Sequence, residues 1–330
     1  MLHETGLWSD LQELPETLQA TLDARAGFDE TAGLLGGGDV RRIVASGNGA
    51  AYYVTMALWL AALESGAGPE LVALPAGVLS RASFRWRPGD VLLAVSSSGE
   101  LRDLIEAVDA GAPAPFAAIT ATPGSTLGSR AGVRAVVTVR NQRAVTHTQA
   151  FCGAVVAALA IWAELSGDKT LAAAVARVPD DVSASLAAAE RWLGGVEVDP
   201  PAGIAFGTGP GWAAALEAAL LLKEVAGVPA EGVETREGAT SAMMALQPGH
   251  LAVSLPAGED PLLEEAETAC RGRGATVLRV PISSSDRRLV AVTTHAAAAF
   301  LSARIGLARG LDVDAPAWVD DYYRVARARV

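Results

Sequence analysis

An apolar stretch that ends in three serines and a glycine limits most strongly what this chain can fold into. Residues 91–95 read Val-Leu-Leu-Ala-Val, residues 96–99 read Ser-Ser-Ser-Gly, and residues 101–108 have helical spacing. The apolar run predicts a fully buried strand, so the hydroxyl-rich turn lies where a strand passes into a helix. Unpaired backbone N–H groups and the helix dipole favour an anion at such a turn. A serine-rich turn with an ordinary N-cap fits the same residues.

Another glycine-rich turn follows a predicted strand that lies earlier in the chain. Residues 43–45 are apolar, residues 46–49 read Ser-Gly-Asn-Gly, and an apolar helix is expected over about 52–63. In open α/β sheets ligands bind beyond the carboxyl ends of the strands, so the two turns are expected to line one crevice. Tyr52 stands where the dinucleotide fingerprint needs its third glycine, which argues against a nucleotide site.

Parts of the first half recur in the second half. Residues 43–50 and the helix after them resemble 204–210 and its following helix, and residues 93–96 resemble 251–254. Each half reads as alternating strands and helices, which predicts a parallel sheet. Leu, Pro and Ala follow Ser254 where the first half has its serines, so we expect one phosphate-type loop, in the first half.

Composition excludes several classes of function. The net charge of −11 argues against nucleic acid and anionic membranes as partners, because both need a positive field. No signal peptide or membrane span is expected, and residues 151–165 read as a core helix. Cys152 and Cys270 are predicted to be buried thiols, and the four histidines lack metal-ligand spacing. We therefore expect a cytoplasmic protein without metal or cofactor.

Taken together, several motifs resemble those of double SIS (sugar isomerase) domain proteins. The chain is similar over nearly its whole length to the isomerase part of glucosamine-6-phosphate synthase and to related phosphosugar isomerases, deaminases and deglycases. The motifs that carry the resemblance lie at residues 46–49, 95–100, 123–127, 145–151, 215–224 and 310–316.

The resemblance implies an α/β fold with two three-layer αβα sandwich domains, each around a mostly parallel sheet. The expected parts are an N-terminal helical segment at 1–36, a first SIS domain with the phosphate loop at 37–196, and a second SIS domain with a C-terminal tail at 197–330. Members of the family usually dimerise, so a homodimer is expected.

The resemblance also implies the site residues. The expected catalytic residues are Glu224, Thr240 and His147. The expected substrate-binding residues are Gly47, Asn48, Gly49, Ser96, Ser97, Ser98, Val145, Thr146, Arg236 and Glu237. Glu224 matches the glutamate that moves a proton between C1 and C2 of the sugar, and its spacing puts Glu217 and Leu221 on the same helix face. An ordinary solvated helix end at Lys223 and Glu224 is the competing interpretation.

Departures from the family pattern leave two functions open. Leu221 and Gln149 replace lysines, and Thr240 replaces the histidine used in opening the sugar ring. We therefore expect no amide transfer. One hypothesis is an isomerase, deaminase or deglycase that acts on an amino- or keto-sugar phosphate. The alternative is a sensor that binds a phosphosugar without chemistry. The residues at 322–324 fit either a lid over the sugar or an exposed chain end.

Overall fold

The protein is an α/β molecule with two parallel sheets. The computed structural model describes residues 1–80, 84–282, 284 and 286–327. The first sheet has the order β2-β1-β3-β4-β5 and the second the order β7-β6-β8-β9. The strands are β1 (Arg42–Gly47), β2 (Glu70–Pro75), β3 (Asp90–Val95), β4 (Ala117–Thr120), β5 (Val133–Val136), β6 (Gly203–Gly207), β7 (Ala230–Glu234), β8 (Leu251–Ser254) and β9 (Thr276–Arg279). The pairings are parallel, as the sequence predicts.

Helices connect these strands and flank the sheets. They are α1 (Gly6–Gln12), α2 (Leu14–Ala24), α3 (Phe28–Leu35), α4 (Ala50–Ser65), α5 (Ala76–Ser80), α6 (Arg102–Asp109), α7 (Thr126–Arg130), α8 (Thr148–Ser166), α9 (Lys169–Ala176), α10 (Val178–Leu193), α11 (Gly211–Glu224), α12 (Thr235–Ala239), α13 (Pro261–Gly272), α14 (Val290–Thr293), α15 (His295–Ala308) and α16 (Val319–Ala326). Short 3-10 helices lie at Leu2–Glu4, Ala242–Ala245 and Arg287–Leu289.

The chain divides into two compact units that take alternating pieces of the sequence. One unit, here called the loop unit, comprises residues 16–139, 149–176 and the chain from Val319 onward. The other, here called the helix unit, comprises residues 1–15, 140–148 and 177–318. The N-terminal residues and a nine-residue segment of the middle of the chain therefore belong with the second sheet.

The loop unit is built on the five-stranded sheet. β1 and β3 are adjacent, with Ser46 opposite Ala94, so the turns that follow these strands start from neighbouring positions at one edge of the sheet. Both strands are buried apart from their first residues, which fits their apolar sequences. β2 lies on the other side of β1, so the order of strands reverses between β1 and β3, where open α/β sheets bind ligands.

The helix unit is built on the four-stranded sheet. Its order, β7-β6-β8-β9, matches the order of the first four strands of the loop unit. α11 follows β6 and is almost wholly buried on one face, including the carboxyl side chain of Glu217. α15 is buried along most of its length and packs against α10 and α11.

Two helical segments, Thr148–Ser166 and Arg287–Ala308, have the length and apolar character of membrane-crossing helices. Inside the folded protein, 89% and 94% of their most apolar stretches are buried. Their apolar character is therefore accounted for by packing in the two cores, as expected for residues 151–165.

The N-terminal segment, expected to be helical, forms three α-helices. α1 ends at Gln12, and Pro15 occupies the first turn of α2, where its missing N–H costs no helical hydrogen bond. Between α2 and α3, Arg25 and Gly27 both have positive φ values, 41° and 75°. Residues with a left-handed backbone conformation cannot continue an α-helix, so the helical segment is interrupted a second time.

Candidate functional site

The serine turn after β3 is held in shape by its own hydroxyl groups. Ser96 is 4% exposed, and its Oγ accepts a hydrogen bond from the N–H of Gly99 at 3.1 Å. Ser98 Oγ accepts from the N–H of Glu100 at 3.2 Å. The Ser97 side chain is half-buried, and its hydroxyl has no hydrogen bond within the described residues. Ser96 therefore supports the loop, while the hydroxyl protons of Ser97 and Ser98 make no hydrogen bond within the described residues.

A second turn, after β4, supports the serine turn from behind. The carbonyl of Ser97 accepts from the N–H of Ala121 at 3.1 Å, from Thr120 Oγ1 at 3.1 Å and from Thr122 Oγ1 at 3.2 Å. Three donors on one carbonyl fix the backbone of the central serine. The roles of Thr120 and Thr122 could not be predicted from the sequence, since these residues lie at the end of a different strand.

Gly99 and Glu100 complete the support of this loop. Gly99 has a φ of 66°, and a side chain there would overlap Ser125 Oγ, so only glycine fits. The Gly99 carbonyl accepts from the N–H of Leu127 at 3.0 Å. Glu100 Oε1 accepts from the N–H of Thr126 at 2.8 Å and thereby occupies the N-terminus of α7. The Glu100 carboxylate therefore stabilises the conformation of the loop.

Asn48 ties the neighbouring glycine turn to the same edge of the sheet. Its Nδ2 donates to Asp103 Oδ2 at 2.8 Å, and its Oδ1 accepts from the N–H of Ala76 at 2.9 Å. Both ends of the side chain are engaged, so Asn48 positions the turn. A side chain at Gly47 would meet Ala51 at 2.7 Å, and Gly49 has a φ of 55°, which explains the two glycines.

The C-terminal tail reaches the residue that follows the serine turn. Arg327 forms an antiparallel bridge with Leu101, and its guanidinium lies 3.9 Å from the centre of the Tyr323 ring. Ala326 packs against the core cluster of the loop unit. The tail helix α16 thus belongs to the unit with the predicted phosphate loop.

In the helix unit, a buried carboxylate organises the segment that contains Val145, Thr146 and His147. Asp10 is 0% exposed, and it accepts hydrogen bonds at 2.9 Å from the N–H groups of Arg143 and Ala144, from the Arg143 guanidinium and from the Gln142 amide. Sequence reasoning missed Asp10 because its partners are more than 130 positions away.

The backbone at Val145 is fixed by Asp314. The Val145 N–H donates to the Asp314 carbonyl at 2.8 Å, while the Asp314 carboxylate accepts from the N–H groups of Gly6 and Leu7 at 2.6 and 2.8 Å. Thr146 is 6% exposed, and its Oγ1 has no hydrogen-bond partner within the described part of the chain. His147 is exposed.

Glu224 is the last residue of α11 and has the protonation behaviour of a base at neutral pH. Burial raises its pKa to about 7, although the nearby Lys223 ammonium works in the other direction. The carbonyl of Glu224 accepts from Trp318 Nε1 at 2.9 Å, which closes the C-terminal end of α11. A carboxyl group with a pKa near 7 takes up and releases protons without a large energetic penalty.

Glu217 and Leu221 lie on the same face of α11 as Glu224 and are fully buried. Glu217 Oε1 is 3.8 Å from His295 Nδ1 at the start of α15. Burial raises the pKa of Glu217 well above 4.5, with a further contribution from the charge of Glu224. Burial lowers the pKa of His295 to about 3. Burial thus disfavours the charged form of both side chains.

The segment that contains Arg236, Glu237 and Thr240 forms a capped helical turn. Glu234 Oε2 accepts from the N–H groups of Arg236 and Glu237 at 2.8 and 3.0 Å, which begins α12. Thr240 Oγ1 donates to the carbonyl of Glu237 at 2.9 Å, which ends it. The side chains of Arg236, Glu237 and Thr240 are exposed. The hydroxyl oxygen of Thr240 remains available as an acceptor.

The expected site residues therefore fall into two groups. The loop unit brings together Gly47, Asn48, Gly49, Ser96, Ser97 and Ser98. The helix unit contains Val145, Thr146, His147, Glu224, Arg236, Glu237 and Thr240. The positioning residues that the sequence did not reveal are Asp10, Glu100, Asp103, Thr120, Thr122 and Asp314.

Comparison with known proteins relates the fold to enzymes of sugar phosphates. No family model matches the chain, and no curated protein matches it in sequence. Among solved structures, a candidate phosphosugar isomerase from Silicibacter pomeroyi aligns over 94% of this chain and 100% of its own, at 23% identity and a TM-score of 0.79.

Two further solved structures are similar along nearly their whole length. The C-terminal domain of glucosamine-fructose-6-phosphate aminotransferase from Francisella tularensis has a TM-score of 0.80 at 19% identity, covering 95% of this chain and 98% of that domain. Glucosamine-6-phosphate deaminase from Thermotoga maritima has a TM-score of 0.77 at 18% identity, with the same two coverages. The chain therefore shares the fold of these sugar-phosphate proteins.

Proposed function

We propose that the protein binds a phosphorylated amino- or keto-sugar and moves a proton between C1 and C2, as an isomerase or deaminase does. The observation that carries the proposal is the serine turn at the carboxyl end of β3, held by three hydrogen bonds at the Ser97 carbonyl. The chain shares its fold with a candidate phosphosugar isomerase and with a glucosamine-6-phosphate deaminase, and this likeness supports a sugar phosphate as the substrate.

In this proposal the phosphate rests on the two turns of the loop unit. Ser97 and Ser98 donate hydroxyl protons to its oxygens, and the N-terminal end of α6 contributes its dipole. The turns that surround the phosphate are shaped by Gly47, Asn48, Gly49 and Ser96. Binding energy from the phosphate, which does not react, then holds C1 and C2 in place for the chemical step.

Glu224 is the proposed base. With a pKa of about 7, it takes the proton from C2 and returns it to C1 through an enediol or enolamine. His147 or Thr240 polarises the carbonyl oxygen of the open sugar, while Val145 and Thr146 contact the sugar through the backbone. Arg236 and Glu237 complete the substrate-binding set. The apolar Leu221 is fully buried, so we expect no charge at that position and no amide transfer.

We further propose that each sheet is the centre of one SIS-type domain, with sequence bounds 37–196 and 197–330, and that residues 1–15 and 140–148 complete the fold of the second. We also propose that two copies form a cytoplasmic homodimer. The alternative function, a phosphosugar sensor without chemistry, is favoured by the loss of a charged group at Leu221 and of an imidazole at Thr240.

Titration with fructose 6-phosphate and glucosamine 6-phosphate tests the binding step. We expect Ser97→Ala combined with Ser98→Ala to weaken binding at least tenfold, because two charge-assisted hydrogen bonds are lost. Ser129→Ala is the matched control, since this exposed serine in α7 donates only to the carbonyl of Gly124. Unchanged affinity in the double variant would refute the phosphate site.

Turnover of the same sugars distinguishes the enzyme from the sensor. We expect Glu224→Gln to bind normally and to lose at least a hundredfold in kcat. Binding by the wild type without turnover of any phosphosugar in a panel would support the sensor.

A further inference from the structure

A cavity of about 270 Å³ lies within the helix unit, between α12, the 3-10 helix Ala242–Ala245 and α13. Its lining residues come from these elements and their ends: Thr235, Arg236, Ala239, Met243, Leu246, Leu262, Glu265, Ala266, Ala269, Cys270 and Arg273. Along α13 they are spaced by three or four positions, so one stripe of that helix forms a wall. The proposed proton transfer uses none of this wall.

The floor of the cavity is apolar and buried. Met243, Leu246, Ala266 and Cys270 are each less than 9% exposed and belong to the core cluster beneath the sheet. Burial raises the pKa of the Cys270 thiol to about 11, so it behaves as an apolar group. An apolar portion of a ligand is the natural occupant of such a floor.

The rim has a surplus of one positive charge. Arg236, Arg273 and Glu265 are exposed and surround the opening. Arg273 Nη1 donates to the carbonyls of Met244 and Leu246 at 3.1 and 3.4 Å, which fixes its guanidinium at the edge. Within the described residues, the Arg236 guanidinium has no hydrogen bond or ion pair. Two guanidinium groups beside one carboxylate favour a ligand with a single negative charge.

We infer that this cavity binds a small monocarboxylate with a short apolar body. The volume is just below the range typical of drug-sized ligands, which limits the body to a few carbons. A phosphate dianion fits the charges less well, because its second charge would face Glu265. Since α12 forms one wall and Thr240 is its C-cap residue, an occupant stabilises the turn that holds Thr240. The cavity shares Arg236 with the proposed substrate-binding set, but its wall along α13 takes no part in the proposed phosphosugar reaction.

Hexanoate is a suitable probe, and methionine methyl groups provide the readout. The chain has four methionines: Met1, Met56, Met243 and Met244. In protein labelled with ¹³C at the methionine methyl groups, we expect hexanoate to shift the Met243 signal with a Kd of roughly 1 mM. The signal of Met56, buried in the loop unit, serves as the internal reference and is expected to stay in place. Hexanamide, which lacks the charge, is expected to bind at least fivefold more weakly.

Two pairs of matched variants locate the site. Ala269→Trp fills the cavity from an exposed position of α13 and is expected to abolish the Met243 shift, whereas Thr268→Leu, next to it but outside the lining, is expected to retain it. Glu265→Gln removes the carboxylate from the rim and is expected to tighten hexanoate binding severalfold. Glu264→Gln makes the same change outside the lining and is expected to have little effect.

The inference is overturned if Ala269→Trp, with a melting temperature near that of the wild type, still shows the hexanoate-dependent shift at Met243. It is also overturned if hexanoate leaves Met243 unmoved, or if hexanamide binds as well as hexanoate. These readouts need no phosphosugar, so failure of the proposed reaction leaves them unaffected, and none of the variants alters Arg236.

Discussion

At the scale of single residues, the ionisation of Glu224 sets the expected pH dependence of activity. A base must be unprotonated, and the pKa of Glu224 is raised to about 7 by burial. We expect kcat/KM to be constant above pH 8 and to fall about tenfold for each pH unit below 6. A pH–rate profile with a converting phosphosugar checks this. A profile that stays flat between pH 5 and 8 would mean that another group is the base.

The raised pKa of Glu217 predicts the direction in which stability changes with pH. Its pKa is raised in the folded protein, so the folded state binds a proton more tightly than the unfolded chain, in which the ordinary value is 4.5. The stabilisation from this group is fully present below pH 4.5 and is lost as pH rises toward the folded pKa. Glu217→Gln mimics the protonated form, so we expect its melting temperature to fall less than that of the wild type between pH 5 and 8.

The control for Glu217→Gln is Glu259→Gln, an exposed glutamate in the same unit. We expect this variant to follow the pH dependence of the wild type. If Glu217→Gln also did so, the pKa of Glu217 would not be raised in the folded protein.

Helical spacing alone places Glu217, Leu221 and Glu224 on one face of α11, and the structure confirms that placement. Spacing could not predict how deeply the face is buried, because burial depends on the packing of α15 against α11. The pKa values of Glu217 and Glu224 follow from that packing, so the sequence indicates the candidate base but not its protonation state.

At the scale of the element, the serine turn depends on the backbone conformation of Gly99. Gly99→Ala forces a side chain into a φ of 66° and against Ser125, so we expect a loss of about 2–4 kcal/mol in the free energy of unfolding. Gly124→Ala, in the neighbouring turn, meets open space and is expected to change stability by less than about 1 kcal/mol. Urea unfolding of both variants gives the comparison, and similar losses would show that the Gly99 conformation is not limiting.

The segment 142–147 depends in the same way on Asp10. Asp10→Ala leaves two backbone N–H groups and the Arg143 guanidinium without their acceptor, so we expect a loss of about 3–5 kcal/mol. Glu13→Ala removes a more exposed partner of the same arginine and is expected to cost about 0–1 kcal/mol. Chemical denaturation measures both, and equal effects would contradict the organising role of Asp10.

The local elements that the sequence predicts well are those with a strong local signal. The strands before the serine and glycine turns, and the helix after each of them, follow from apolar runs and turn residues. The turn after β4 and the carboxylate at Asp10 could not be predicted, because their partners are brought near only by strand pairing or by the return of a distant segment. Long-range hydrogen bonds leave no periodic pattern in a sequence.

At the scale of the whole molecule, the two compact units do not coincide with continuous halves of the chain. A boundary near residue 196 follows naturally from the sequence repeat, and the matching strand orders support a similar construction of each half. The helix unit nevertheless includes residues 1–15 and 140–148. Trp8 stacks on Phe300 with ring centres 4.5 Å apart, and Asp314 accepts from the N–H groups of Gly6 and Leu7.

These contacts predict that residues 197–330 do not fold on their own. Phe300 is 0% exposed in the full chain, and the isolated segment lacks the Trp8 ring that stacks on it. It also lacks the N–H groups that donate to the Asp314 carboxylate. We expect it to show no cooperative urea transition and no native near-ultraviolet circular dichroism. Co-expression of 1–196 with 197–330 restores every missing segment, and we expect the two chains to associate and to unfold cooperatively. A stable, cooperative fold of 197–330 alone would show that the boundary at 196 is a true domain boundary, and that the N-terminal contacts are dispensable.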